Sequence, residues 1–293
     1  MTEKQTPARI AVVGGGRMGA GIAQVFATLG SSVVIAEAVD QSAAMDRVAR
    51  GLHQSQVRGK LGEVVPADIL ARVSTVGAPA ELPSDLDLVI EAVPENPALK
   101  IDVLTAVEKI VRPGTVIASN TSSLSIAELG AALQDPSRFI GMHFFNPVPA
   151  SVLVEIVRTA TTADSVVDRV RSWVAGLSKA EILVNDSPGF ATSRLGVGLG
   201  LEAIRMLEEG VADAAAIDLA MELGYRHPMG PLRSTDLVGL DVRLAIAEHL
   251  AATLGPRFEP PQLLRDKVER GELGRKTGQG FFTWDQAPTE GQP

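Results

Sequence analysis

Near the N-terminus, a glycine-rich turn lies between a short apolar run and a helical pattern. The β-branched run at residues 10–13 leads into residues 14–19 (GGGRMG), which contain the pattern G-x-G-x-x-G. A helical pattern at residues 18–29 follows, and Gly30 closes it. Glycines at this spacing allow a tight turn and let a phosphate approach the backbone at the helix N-terminus. This succession predicts the first βαβ unit of a parallel sheet.

The same unit predicts a binding site for NAD. Gly14, Gly16, Met18 and Gly19 would surround the pyrophosphate at the start of the helix. A second predicted strand is followed by Glu37, twenty-three residues after Gly14, and a carboxylate placed there accepts hydrogen bonds from the adenosine ribose. Because Glu37 is anionic and residues 38–40 include no base, NAD is favoured over NADP. The alternative is a glycine-rich turn without a ligand.

Strand and helix patterns alternate through the first two thirds of the chain. Such alternation is typical of an α/β protein with a doubly wound, mostly parallel sheet of the Rossmann type. After residues 186–189 (Asp-Ser-Pro-Gly) the strand signals stop and the remaining patterns are helical. We therefore predict a Rossmann-like domain over residues 1–187, a smaller all-helical domain over residues 188–285, and a tail over residues 286–293. The predicted strands are 10–13, 32–36, 86–92, 115–119, 138–144, 152–157 and 181–184; later predicted helices include 97–111, 163–177, 190–209, 213–223, 236–254 and 261–270.

Composition limits the partners of such a chain. The formal net charge of −8 argues against nucleic acid or an anionic membrane as a partner, because both need a basic face. The absence of cysteine excludes disulfides, thiolate catalysis and zinc–thiolate sites, and no metal is expected. No apolar run reaches membrane-spanning length, and residues 1–9 lack the apolar core of a signal peptide. A cytoplasmic protein is the expectation.

One histidine and one glutamate lie inside two strongly apolar runs. A carboxylate such as Glu155, between Val154 and Ile156, loses much solvation free energy if it is unpaired, so we expect it to have a partner. His143 is the candidate, because the prolines between the two runs force the chain to turn. In one interpretation, the two side chains only satisfy each other's hydrogen-bonding groups in the core. In the other, Glu155 accepts the Nδ1 hydrogen and holds the ring, so that Nε2 acts as a general base.

Two polar segments follow predicted strands, where ligands of open α/β sheets bind. One contains Glu95 and Lys100; in the absence of other information, a Glu and a Lys five residues apart more often form a surface ion pair of little consequence. The other contains Ser122, whose hydroxyl could point into the cleft. A stretch rich in Ser and Thr is most often a helix cap, and Ser123 or Ser125 would serve as one.

Three glycines interrupt the first helical pattern of the second domain. Gly196, Gly198 and Gly200 each cost about 1 kcal/mol relative to alanine in a helix interior. Their presence therefore needs a compensating cause. Close helix packing supplies one, either within the domain or across a dimer interface.

Taken together, these segments resemble the L-3-hydroxyacyl-CoA dehydrogenase family, including its short-chain 3-hydroxybutyryl-CoA members. The similarity runs in family order through nearly the whole chain, at residues 14–23, 91–100, 119–124, 143–155, 188–190, 228–231, 236–241 and 274–281. Several blocks in this order are far more specific than any single motif. The resemblance also implies a homodimer, formed through the helical domain.

The resemblance implies reversible, NAD-dependent oxidation of a short-chain (3S)-3-hydroxyacyl-CoA thioester to the 3-oxoacyl-CoA. It assigns His143 as the catalytic base, Glu155 as its orienting partner, and Ser122 as the contact of the substrate 3-oxygen near the nicotinamide. Further residues that would help to hold NAD are Glu95, Lys100, Asn146 and Lys276.

Two points of the resemblance concern the substrate. Ser193 stands where the family usually has an active-site Asn, and its hydroxyl has a shorter reach than an amide, so substrate preference stays open. The family places CoA along the helix after the second strand. There Arg58 and Lys60 could meet the CoA pyrophosphate, or could simply be solvated cations at a helix end.

Two other functions stay open. A dicarboxylic substrate such as 3-hydroxyadipyl-CoA, or a related free hydroxy acid, would need the same chemistry. Crystallin-like relatives with sugar-acid substrates vary the Phe-Phe-Asn-Pro block, and its presence here favours the thioester.

A non-catalytic NAD-binding protein on the same scaffold belongs to a different class of function. The joint presence of His143, Glu155 and Ser122 counts against it.

Overall fold

The chain forms two compact units in a computed structural model that describes residues 6–285. Backbone contacts divide the two units between Ser187 and Pro188. The first unit contains a β-sheet with helices, and the second consists of helices and short turns.

The first unit is built on an eight-stranded sheet. Its strands are β1 (Arg9–Val13), β2 (Ser32–Ala36), β3 (Val73–Val76), β4 (Leu88–Glu91), β5 (Val116–Ser119), β6 (Phe139–Phe144), β7 (Leu153–Arg158) and β8 (Ala180–Asn185). They lie in the order β3-β2-β1-β4-β5-β6-β7-β8. Neighbouring strands are parallel except β6 and β7, which are antiparallel. The predicted doubly wound, mostly parallel sheet is confirmed.

Helices connect the parallel strands of this unit. They are α1 (Arg17–Thr28), α2 (Gln41–Val57), α3 (Pro66–Leu70), α4 (Pro97–Glu108), α5 (Ile126–Gly130) and α6 (Asp164–Gly176), with 3₁₀ turns at Pro79–Glu81 and Pro136–Arg138. Side-chain caps fix where several of them begin. Asp40 accepts a hydrogen bond from the Ala43 N–H at the start of α2, and Ser125 accepts one from the Glu128 N–H at the start of α5.

The centre of the sheet is buried on both faces, which explains its continuous apolar strands. Every residue of β4, β5 and β6 is buried. Because β1, β4, β5 and β6 are parallel, their carboxyl ends meet at one edge of the sheet. The residues that follow these ends, and the antiparallel β7 that starts beside them, are therefore in position to form one site.

The second unit packs five helices around its own apolar core. They are α7 (Thr192–Glu208), α8 (Ala214–Gly224), α9 (Pro231–Val238), α10 (Leu240–Leu254) and α11 (Gln262–Glu269), with 3₁₀ turns at Pro256–Phe258 and Arg275–Thr277. Leu201, Leu232 and Leu250 lie at the centre of this core and are fully buried. Asp236 of α9 is also buried, and it accepts hydrogen bonds from the backbone of residues 281 and 282 and from the Trp284 indole.

Two predictions of secondary structure are wrong. Strand β3 was not predicted, because Val-Ser-Thr-Val is too short to show a period and its pairing with β2 is non-local. The helix predicted over residues 236–254 is two helices, because Gly239 has φ +103° and ends α9 before α10 begins. The other predicted strands and helices are present, with ends that differ by at most three residues.

None of the helices within residues 6–285 combines the length and the apolar content that a membrane span needs. Across the same residues, no three His, Asp or Glu side chains come together in a way that could hold a metal ion. The predicted tail, residues 286–293, lies outside the described residues. The cytoplasmic location stays a prediction.

Candidate active site

The glycine turn between β1 and α1 forms a cradle that is open above its backbone. Gly14 has φ +101°, a conformation that favours glycine. A Cβ on Gly19 would collide with the carbonyl oxygen of Gly14. By contrast, apart from Gly16 itself and its two chain neighbours, no described atom lies within 4 Å of the place where a Cβ on Gly16 would be. The turn therefore has the tight backbone and the open space that a pyrophosphate needs at the N-terminus of α1.

Glu37 follows β2, and its carboxylate faces the glycine turn. Its Oε2 accepts a hydrogen bond from the Gly15 N–H (2.7 Å), and its Oε1 accepts one from the Val39 N–H (2.9 Å). Burial by itself would raise the pKa of Glu37, but these backbone hydrogen bonds and the charge of Arg47 hold the pKa below its ordinary value. The ionised carboxylate is therefore beside the turn, where ribose hydroxyls would need an acceptor.

Sequence reasoning missed Arg47 as part of this region. Its Nη1 donates to the carbonyl oxygen of Gly15 (3.1 Å). Arg47 lies in α2, outside the strand–turn–helix motif, and no local pattern distinguishes it from the other bases of that helix. Only the packing of α2 beside the turn brings its charge to Glu37.

Replacing Glu37 by Ala is expected to weaken the preference for NADH over NADPH. The substitution removes the ribose acceptor and leaves the positive charge of Arg47 to attract a 2′-phosphate. The ratio of kcat/KM for NADH to kcat/KM for NADPH should fall by roughly 10- to 100-fold. Glu63→Ala, at an exposed position, is the control for a lost carboxylate. An unchanged ratio in Glu37→Ala would show that Glu37 does not select the cofactor.

Lys100 belongs to a buried cluster of charges after β4. Its Nζ lies 2.7 Å from Glu91 Oε1 and 3.2 Å from Glu95 Oε2, and it donates to the Val93 carbonyl oxygen (3.2 Å). Glu91 also accepts a hydrogen bond from Ser119 Oγ (2.6 Å). Lys100 is 1% exposed and Glu91 is 0% exposed. Glu95 and Lys100 therefore do form an ion pair, but the lysine of this pair is buried rather than at the surface.

Glu95 holds the turn that carries Ser122. Its Oε1 accepts hydrogen bonds from Thr121 Oγ1 (2.5 Å), the Ser122 N–H (3.0 Å) and Ser123 Oγ (3.1 Å). Burial alone would raise the pKa of Glu95, but the charge of Lys100 and these hydrogen bonds hold the pKa below its ordinary value. An ionised carboxylate thus fixes the backbone beside Ser122.

Strands β6 and β7 place His143 directly opposite Glu155 in their antiparallel register. The two atoms His143 Nδ1 and Glu155 Oε2 are 3.0 Å apart. The Glu155 side chain is fully buried, and the His143 side chain is 9% exposed. Since a carboxylate only accepts hydrogen bonds, Nδ1 carries the proton of this contact, and the lone pair of the neutral ring is on Nε2. The ring of Phe145 packs on the imidazole, with the centroids 4.4 Å apart.

The other predicted residues of the first unit are near its surface. Asn146 is exposed after β6, and its peptide bond to Pro147 is cis. Arg58 and Lys60 are exposed just beyond the end of α2. Sequence reasoning missed Lys179, whose Nζ donates to the carbonyl oxygens of Val148 (2.7 Å) and Ser151. Burial, and then the charge of Lys60, lower the pKa of Lys179, so these two cations belong to one positive region.

Ser193 and Lys276 lie in the helical unit. Ser193 is in the first turn of α7. The Nζ of Lys276 lies 2.6 Å from each carboxylate oxygen of Asp241. Burial would raise the pKa of Asp241, but the hydrogen bond and charge of Lys276 hold the pKa below its ordinary value.

The glycine cradle, the carboxylate after β2 and a doubly wound sheet define the first unit as a dinucleotide-binding domain of the Rossmann type. A sequence model described as "3-hydroxyacyl-CoA dehydrogenase, NAD binding domain" matches residues 9–187. A second model, described as "3-hydroxyacyl-CoA dehydrogenase, C-terminal domain", matches residues 189–284.

Relatives of known name are similar over almost the whole chain. A probable 3-hydroxybutyryl-CoA dehydrogenase of Deinococcus radiodurans is 41% identical over 281 residues, which are 94% of this chain and 100% of that protein. The mitochondrial hydroxyacyl-coenzyme A dehydrogenase of Sus scrofa is 36% identical, over 94% of this chain and 90% of that protein. The crystal structure of (S)-3-hydroxybutyryl-CoA dehydrogenase from Ralstonia eutropha superposes with a TM-score of 0.90 at 40% identity, covering 96% of this chain and 100% of that one.

The chain therefore belongs to the 3-hydroxyacyl-CoA dehydrogenase family, as the sequence resemblance predicted. It is an NAD-dependent oxidoreductase, and the prediction of NAD as cofactor is confirmed.

Proposed function

We propose that the protein catalyses the reversible, NAD-dependent oxidation of a short-chain (3S)-3-hydroxyacyl-CoA, similar to 3-hydroxybutyryl-CoA, to the 3-oxoacyl-CoA. The observation that carries the proposal is the buried contact of 3.0 Å between His143 Nδ1 and Glu155 Oε2. Relatives named for 3-hydroxybutyryl-CoA, at 40 to 41% identity over nearly the full chain, support the choice of a short acyl group.

His143 and Glu155 perform the proton transfer in this proposal. Glu155 accepts the Nδ1 hydrogen, which holds the ring in one tautomer and presents Nε2 as the base. In the direction of oxidation, Nε2 takes the proton of the substrate 3-hydroxyl, and the buried carboxylate stabilises the imidazolium that forms. Ser122 would donate a hydrogen bond to the 3-oxygen. In the reverse direction, Nε2 returns the proton to the 3-oxygen.

The bound nicotinamide ring would supply the acceptor for the hydride of substrate C3. The residues that would hold NAD are Gly14, Gly16, Met18 and Gly19 around the pyrophosphate, Glu37 at the adenosine ribose, and Glu95, Ser122, Asn146 and Lys276 elsewhere. Lys100 would contribute by keeping Glu95 ionised and in place.

The test follows NADH consumption with acetoacetyl-CoA, and uses free acetoacetate and NADPH as controls. We expect turnover with the thioester and NADH, and much less with either control. The absence of turnover with every acyl-CoA would contradict the proposal. A preference for free acetoacetate would instead favour a hydroxy-acid dehydrogenase.

The positive region of Lys60 and Lys179 is the proposed site for the phosphates of CoA, and the proposal includes Arg58, two residues before Lys60 in the chain. Burial, and then the charge of Lys60, lower the pKa of Lys179, and in a chain of net charge −8 two such neighbouring cations would attract an anion. Lys60→Ala should raise the KM for acetoacetyl-CoA by about tenfold and leave the KM for NADH nearly unchanged. Lys109→Ala, at an exposed position on the sheet unit, is the matched control. An equal effect of the two substitutions would contradict this assignment.

We also propose that two copies of the chain associate through the helical unit. Leu219 and Leu223 lie one turn apart on α8 and are 50% and 73% exposed, and Tyr225 after them is 76% exposed. Large apolar side chains exposed together mark an interaction surface. Leu223→Glu should convert a dimer to a monomer in light scattering after size-exclusion chromatography. Val39→Glu is the control, because it makes the same kind of change at a position that is 93% exposed in the sheet unit, and it should leave the dimer intact. If Leu223→Glu were still a dimer, α8 would be excluded from the interface.

A further inference from the structure

Asn120 connects the ends of three neighbouring strands of the sheet unit. It follows the last residue of β5, and its backbone N–H donates to the carbonyl oxygen of Glu91 (2.8 Å), the last residue of β4. Its side-chain oxygen Oδ1 accepts the N–H of Phe144 (2.9 Å), the last residue of β6. One residue is therefore bonded to β4 through its backbone and to β6 through its side chain.

The bond to β6 lies where the pairing of β6 with β5 has already ended. The last partners in that register are Ser119 and Gly141, so the final three residues of β6 extend past the paired part of β5. Phe144 is 2% exposed, and a buried N–H without an acceptor is unfavourable. The amide of Asn120 supplies an acceptor beyond the end of β5.

The bonded N–H belongs to the peptide group between His143 and Phe144. On the other side of β6, the pairing with β7 places His143 opposite Glu155 and so keeps these two residues together. However, β7 is not a neighbour of β5 in the sheet, so this pairing does not set how far the base lies from the segment after β5. The Asn120 bond acts on that distance, because it joins the segment to the strand of His143.

The segment after β5 also carries Ser122, two residues beyond Asn120. Glu95 holds its turn by accepting hydrogen bonds from Thr121 Oγ1 and the Ser122 N–H. In the proposed mechanism the Ser122 hydroxyl and the imidazole of His143 must reach the same substrate oxygen. A displacement of about 1 Å between such groups can lower a rate on the order of 100-fold, so a bond that fixes their separation matters for turnover.

We propose that Asn120 is a positioning residue, whose side-chain oxygen sets the distance between the turn of Ser122 and the base His143. This inference rests on the proposed function, because that function assigns both groups to the 3-oxygen of the substrate. Asn120 acts through the backbone of β6 and needs no contact with the substrate. An amide suits this place, because its oxygen accepts the N–H without bringing a charge to the site.

The test compares two substitutions of Asn120 in steady-state reduction of acetoacetyl-CoA and in NADH fluorescence titration. Asn120→Leu removes the acceptor at nearly constant size, and it should lower kcat by roughly 10- to 100-fold while the dissociation constant of NADH stays nearly unchanged. Asn120→Asp keeps an oxygen at the Phe144 N–H and should recover most of the wild-type kcat. Because aspartate adds a charge, each variant is compared at the pH where it is fastest. Asn120→Ser, whose hydroxyl is too short to reach the N–H, replaces Asn120→Leu if that variant does not fold.

Thr162→Val is the matched control for a purely structural effect. Thr162 is 3% exposed, and its Oγ1 donates to the carbonyl oxygen of Phe139 (2.9 Å), the first residue of β6. The substitution removes a side-chain hydrogen bond from the opposite end of the same strand. It should lower the unfolding temperature as Asn120→Leu does, but it should keep the wild-type kcat. Equal losses of kcat in the two variants would identify a general loss of stability and overturn the proposal.

Other results would overturn the proposal and leave the proposed function standing. One is a folded Asn120→Leu variant with the kcat of the wild type. Another is an Asn120→Asp variant as slow as Asn120→Leu, because the amide nitrogen, in a direct contact with a ligand, would then be the important group. Absence of wild-type turnover with every acyl-CoA would instead contradict the proposed function.

Amide hydrogen exchange at Phe144 judges the bond without any substrate. The Phe144 N–H should exchange slowly in the wild type and in Asn120→Asp, and at least about tenfold faster in Asn120→Leu. This difference would support the hold of Asn120 on the strand of the base, whichever substrate the enzyme uses. Equal exchange rates in all three proteins would overturn the proposal.

Discussion

Replacing His143 by Gln should lower the kcat for acetoacetyl-CoA reduction by about 100- to 10,000-fold. Glutamine is close to histidine in size and keeps a polar group near Glu155, but it cannot exchange a proton at neutral pH. The loss should appear in kcat rather than in the dissociation constant of NADH, because the glycine cradle and Glu37 are on other strands of the sheet.

Steady-state turnover and NADH fluorescence titration together measure this effect. His249→Gln, in α10 of the helical unit, is the matched control and should retain wild-type kcat. Glu155→Gln should give an intermediate loss, because the base remains but its tautomer is no longer enforced. If His143→Gln turned over at the wild-type rate, another group would have to be the base.

Replacing Lys100 by Met should lower the free energy of unfolding by about 3–5 kcal/mol. Methionine is similar in length, so the substitution removes the charge and leaves little empty space. Glu91, which is fully buried, would then keep its hydrogen bond from Ser119 but lose its counter-ion. Glu95 would lose the charge that lowers the pKa of its carboxyl group, and the turn at Ser122 would be less firmly held.

Urea unfolding followed by circular dichroism measures this loss. Lys109→Met, just beyond the end of α4 and exposed, is the control and should change stability by less than about 0.5 kcal/mol. Replacing both partners of the pair, Glu91→Leu with Lys100→Met, should recover part of the lost stability, because neither charge is then left buried alone. If Lys100→Met were as stable as Lys109→Met, the buried charges around Lys100 would not contribute this much to the free energy of unfolding.

Local patterns predicted the elements that surround the dinucleotide. The turn at Gly14, the helix after it and the carboxylate Glu37 follow one another along the chain, so the backbone preferences and spacing of nearby residues were sufficient. The same local logic failed at β3 and at Gly239. In β3, four residues take their strand conformation from pairing with β2; at Gly239, one backbone angle divides an otherwise continuous helical pattern.

The charges around the site were less predictable than its elements. Lys100 looks like a surface residue in the sequence, yet it is buried. Its Nζ donates a hydrogen bond to Glu91, which is nine residues earlier and is the last residue of β4. Arg47 and Lys179 reach their positions through the packing of helices and loops, and no spacing rule marks them. The partner of a long charged side chain depends on which remote segments fold against it, and a one-dimensional pattern does not contain that information.

The class of fold, the preference for NAD and the presence of a histidine and a glutamate in apolar strands follow from the amino-acid sequence, since they depend on periodicity, glycine spacing and residue chemistry. The tertiary structure decided which charges are buried and with what partners. The glycines of α7 illustrate the difference: the sequence required close packing, and only the folded helical unit shows that Gly196 and Gly200 lie beside the guanidinium of Arg243. Burial and pairing are non-local, because they arise when segments distant in sequence exclude water together.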